Sequence, residues 1–221
     1  TSTAEDTIRV RQEMVNLNEL NLQKRDDLLK KCGDTYLGQI MIMMAKSPEL
    51  EIDSDSLTLE QKMAQYNYYK EHFFDGLDFD RQGLIRTPIF YGKVKEYMDR
   101  ITFQNPDSII SSVDFLFNKA EKNRDLFRFL MGMFFQEYQN SKIMGMDKVF
   151  VHLTDNYYLN GKVEWADSTL LAELEKEMKF LRENQIGMKA PQIYLADTLG
   201  RATNLYEINS NYLVLYFYDP D

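Results

Sequence analysis

The sequence predicts a mainly α protein, a multi-helix bundle of antiparallel helical hairpins that ends in a β-hairpin and one hydrophobic strand. Three observations lead there. Apolar residues recur at helical spacing from Ala4 to Leu181, broken by Gly, Pro and N-cap signals. A turn sequence, Asp197-Thr-Leu-Gly200, then separates two short strand-like runs. Finally, Tyr212 to Tyr218 are seven apolar or aromatic residues without polar alternation, the pattern of a strand covered on both faces. The expected division is a helical domain over residues 1–186 and a strand-bearing part over 187–221.

The first helix is expected from Ala4 to about Lys31, with Ile8, Met14/Val15, Leu17/Leu22 and Leu28/Leu29 between charges. Arg9, Arg11, Lys24, Arg25, Lys30 and Lys31 make it the most basic part of an acidic chain, either a solvated face or a partner surface. Gly33 and Asp34 break it. Tyr36 to Ala45 is apolar and rich in Met, a side chain that fills irregular core gaps. Ser47-Pro48 ends that run, and an acidic connection covers residues 51–56. Another helix spans about residues 58–75, with Met63, Tyr66, Tyr69 and Phe73/Phe74 at helical spacing.

Thr87-Pro88 and Asn105-Pro106 each read as an N-cap followed by proline at the first helical position, where its missing N–H costs nothing. Residues 126–135 are apolar nearly all round, which marks the expected central helix. A helical segment follows from Met146 to Tyr158. Asn160-Gly161 is a turn, and Asp167 or Ser168 caps a last helix with Leu170/Leu171, Leu174, Met178 and Leu181 inward. Glu175 and Lys179 stand one turn apart in the favourable order. Gly187 ends it.

Composition excludes several function classes. A formal net charge of −9 over 221 residues opposes nucleic acid and anionic lipid as partners, while leaving room for a basic protein. No apolar run reaches the length of a membrane span. The single cysteine, Cys32, allows neither an intrachain disulfide nor a thiolate metal cluster. It precedes Gly33 at a helix C-terminus, the end that does not favour a thiolate. His72 and His152 lack a second ligand at metal spacing, and Trp165 reads as an anchor between helices. Asp78-x-Asp80-x-Gln82-Gly83 echoes a calcium loop, but its twelfth position is Ile89, where a carboxylate is needed. No phosphate-binding Gly loop or hydrolase motif occurs, so no catalytic residue, cofactor or metal is expected.

The C-terminal residues carry a resemblance. Ala190-Pro191, a strand, Asp197-x-x-Gly200, Leu205 and then residues 213–221 (LVLYFYDPD) resemble the opening of the thioredoxin-like domain in TlpA-type thiol-disulfide oxidoreductases and peroxiredoxins. Upstream, residues 144–151 (MGMDKVFV), 155–158 (DNYY), Gly161 and Trp165 resemble a helical domain of unknown function. That domain precedes such thioredoxin-like domains in envelope proteins of Gram-negative bacteria.

The resemblance implies a truncated thioredoxin-like α/β domain, cut before a Cys-x-x-Cys motif at a helix N-terminus. Asp219, Pro220 and Asp221 would then be the approach to that motif, adjacent to the chemistry and not catalytic. It also implies a periplasmic or outer-membrane-anchored location in the cell envelope. The partners implied are disulfide-containing proteins or a redox partner, with the helical domain positioning the redox domain or selecting its partner. The sequence starts at Thr1 and nothing in it resembles a signal peptide, which is compatible with an export signal removed by processing. Exposed strand edges around Tyr212–Tyr218 are expected to pack on the helices or to pair with another copy as a homodimer. The rival reading is a non-enzymatic helical binding or scaffold module whose hairpin is a dimerisation arm.

Overall fold

The computed structural model describes residues 4–44, 57–196 and 199–216. Its α-helices are α1 (Ala4–Cys32), α2 (Tyr36–Met44), α3 (Leu59–His72), α4 (Pro88–Glu96), α5 (Pro106–Lys119), α6 (Arg124–Gln139), α7 (Asp147–Leu153) and α8 (Ser168–Glu183). Strands β1 (Tyr194–Ala196) and β2 (Ala202–Asn204) pair antiparallel, Leu195 opposite Thr203. The protein is therefore mainly helical with a small hairpin near its C-terminus, as the sequence predicts. The chain forms two compact units, Thr1–Asn140 and Ser141–Asp221.

The helix starts are set by their caps. Thr87 accepts from the Phe90 N–H at 3.4 Å, Asn105 from the Ser108 N–H at 2.9 Å, and Asp167 from the Leu170 N–H at 2.8 Å. Each fills one backbone donor that the first helical turn leaves without a partner. Thr58 and Gln61 add a reciprocal pair. The Gln61 N–H donates to the Thr58 hydroxyl at 3.3 Å, and the Thr58 N–H donates to the Gln61 side chain at 2.9 Å. After α4 and after α7 the helix widens into one π turn, over Tyr97–Ile101 and Thr154–Tyr158.

The core of the first unit is aromatic. Phe73, Phe74, Phe79, Phe90 and Tyr97 are buried in edge-on and tilted contacts, with ring centroids 4.9–6.0 Å apart. Buried Lys93 lays its ammonium 4.6 Å from the Phe73 ring centroid, and burial pulls its pKa down. The connection over residues 75–83 is fastened to this core by two buried amides. Gln39 on α2 donates to the carbonyls of Gly33 and Gly76 at 3.2 and 3.4 Å and accepts from the Asp78 N–H at 2.7 Å. Asn123 donates to the Phe79 and Arg81 carbonyls at 2.9 and 3.1 Å while capping α6 through Leu126. Gly38 has its own requirement: a Cβ there would lie 2.1 Å from the Cys32 carbonyl oxygen, so only glycine lets α2 turn back this closely on α1.

Two expectations need correction. Residues 126–135 are not enclosed all round. Leu126, Leu130, Met131 and Phe134 are buried, whereas Arg128, Gly132 and Gln136 on the other face of α6 meet solvent. The segment after the hairpin is not a buried strand. Tyr212, Val214 and Tyr216 are 92, 88 and 82 % exposed, and residues 212–216 form no strand with β1 or β2. The sheet of the described residues is β1 and β2 alone, so this run adds no strand to it.

Asn123→Ala removes a cap and strands two carbonyls. We expect a loss of about 2–3 kcal/mol, against about 1 kcal/mol for Asn105→Ala, whose cap is exposed and single. Equal costs in urea unfolding would refute the clamp. Alkali gives a second expectation. Burial pushes the Tyr97 hydroxyl up to about 12 from 10.0, against the lowering pull of its bond to Ser112. The folded state then holds a proton that the unfolded chain releases near 10. Stability should be intact below that value and fall by on the order of 2 kcal/mol as the pH climbs to about 12. The lowered pKa of Lys93 acts in the opposite sense, adding stability as the pH rises towards 10.5 and nothing beyond it. Denaturant midpoints measured across this range should flatten in Tyr97→Phe; an unchanged slope would count against the assignment.

Candidate functional site

The residues singled out by resemblance, Asp219, Pro220 and Asp221, lie outside the described residues, as do Asp197 and Thr198 of the hairpin turn. What the structure describes of that region is the hairpin and its sequel. The Leu205 N–H donates to the Ile193 carbonyl at 3.0 Å, prolonging the ladder, and Leu205 is buried. Asn204 caps the short turn after it, accepting from the N–H groups of Tyr206 and Glu207. The Tyr206 hydroxyl donates to the Ala190 carbonyl, and the Lys189 ammonium lies 4.3 Å from the Tyr206 ring centroid. Both strands keep an outer edge without a partner among the described residues.

The other single residues take quiet positions. The half-buried Cys32 thiol donates to the Leu28 carbonyl at 2.9 Å. His72 pairs with Asp75 at 2.6 Å, and His152 contacts the Asn156 amide at 3.1 Å. In the calcium-like loop, Asp78 accepts from the Asp80 N–H at 3.0 Å and faces Arg81 at 3.7 Å, while Asp80 faces Lys122 at 3.9 Å. Among the described residues no group of three His, Cys, Asp or Glu is placed to hold a metal. Glu175 has Arg182 within 3.9 Å, and Arg182 also grips Asp155 bidentately at 2.6 and 3.1 Å, tying α8 to the π turn after α7. Trp165 is half-buried.

The sequence reading missed a groove on the first unit. It runs between α4 and α6 with a volume of about 960 Å³ and is lined by Tyr91, Phe129, Met133, Arg128, Gln136 and Glu137. Its lining mixes apolar with polar and charged side chains. Lys95, outside the lining, lies 3.4 Å from Glu137 and 3.3 Å from Asp99. Behind it, burial pushes the Tyr138 hydroxyl well up, with Glu137 and Asp99 adding to the shift. Gly132 opens the groove at mid-helix, and a Cβ there would meet nothing within 4 Å. A glycine inside an exposed helix costs about 1 kcal/mol relative to alanine, and this one has no packing reason for it. That glycine was the legible signal in the sequence. The groove carries no nucleophile with an adjacent base, and its lining mixes apolar and polar side chains.

Known proteins bear on the fold and on the family. No curated protein matches the sequence. Among solved structures, the fold is similar to that of a thioredoxin-like protein from Bacteroides caccae, with a TM-score of 0.51 at 14% identity. The likeness covers 76% of this chain and 58% of that one, so the chain spans little more than half of its length. The family described as a domain of unknown function, DUF5106, matches residues 35–184, from the start of α2 through α8, and the chain belongs to it.

Proposed function

We propose that this chain is the helical region of a thiol-disulfide oxidoreductase of the cell envelope, where it positions a thioredoxin-like redox domain or selects that domain's protein partner. In this reading residues 187–221 contribute the domain's opening strands, and Asp219, Pro220 and Asp221 lead towards a Cys-x-x-Cys pair. One observation carries it: an exposed apolar segment, residues 212–216, follows a β-hairpin in a chain whose fold is similar to that of a thioredoxin-like protein. Such a segment gains free energy only by entering a sheet or an interface. Cys32 alone cannot cycle a disulfide, so the redox pair would come from outside this sequence. There a thiolate attacks the partner's disulfide sulfur and displaces a thiolate, which takes up a proton. The mixed disulfide so formed is then attacked at the enzyme sulfur by the second thiol as its thiolate. The enzyme disulfide forms, the partner's remaining sulfur leaves as a thiolate that takes up the proton given up, and two electrons have passed to the partner. The groove between α4 and α6 is the face this reading assigns to partner selection.

The open edges of the hairpin favour a second reading, a non-enzymatic binding module that dimerises through its strands. Insulin-disulfide reduction separates the two. This chain should be inactive, and the protein carrying the following cysteine pair should reduce insulin. An inactive protein with its cysteines intact would favour the binding module, as would partners retained in a pull-down after deletion of residues 187–221.

Gly132→Ala tests the groove. If glycine serves an approaching partner and not the fold, alanine should raise the stability of the isolated chain by roughly 0.5–1 kcal/mol. A loss of stability would mean that the helix itself needs the glycine.

A further inference from the structure

We draw no further inference here: the strongest candidate, the groove between α4 and α6 lined by Tyr91, Arg128, Phe129 and Met133, belongs to the site already described, and nothing in the structure shows what covers it.

Discussion

The constraint on which the first unit depends is the satisfaction of backbone polar groups in a connection that runs against an aromatic core. Residues 75–83 have no helix or ladder to absorb their N–H and C=O groups, and Phe79 within them is buried. A buried carbonyl without a donor costs about as much as several favourable contacts return. Gln39 and Asn123 remove that cost from opposite sides. The first reaches in from α2 and the second from the start of α6. With the loop fixed, Phe79 is held against Phe74 and Phe90, and α4 can enter directly from its Thr87 cap. Two amides therefore couple α2 and α6 to one loop, and the aromatic packing against α4 follows from that coupling.

How much of this the sequence disclosed depends on whether a signal was local. The caps at Thr87, Asn105 and Asp167 were legible because a cap and its target lie three residues apart, and Pro88 and Pro106 confirm two of them. Asn123 had the same local signature but also acts on carbonyls 42 and 44 residues away, which no pattern in its neighbourhood encodes. Gln39 sits inside an apolar run and would be read as an interruption. Gly38 is explained only by the approach of the Cys32 carbonyl. Hydropathy misled in two places for one reason: it states what a segment could bury, not what is there to cover it. Residues 126–135 and 212–216 both read as enclosed. In the structure the first has one open face and the second has no neighbouring strand.

The same distinction governs the candidate site. Catalysis leaves marks on sequence because it needs particular side chains at particular spacings, and this chain has one thiol, two separated histidines and no metal-ligand cluster among the described residues. Recognition surfaces leave weaker marks, since many combinations of apolar and polar side chains serve. The groove between α4 and α6 surfaced only when Tyr91 on one helix met Phe129 and Met133 on the other. Gly132 is the exception, because a helix-interior glycine has a known cost and the structure returns no steric compensation for it.

Exposed apolar surface is distributed unevenly, and the distribution carries the functional argument. Isolated exposed hydrophobic residues are ordinary on any protein. Contiguous ones are not, and here they collect on α1 and over residues 212–216, while the groove adds Tyr91 beside half-buried Phe129 and Met133. The three differ in what could satisfy them. An extended apolar segment calls for strands, which a sheet supplies and a helix does not. A groove with a glycine at its centre calls for something that approaches a helix backbone closely. Helix α1 presents apolar side chains among charges, which asks for a mixed surface. One partner of a single shape cannot meet all three demands.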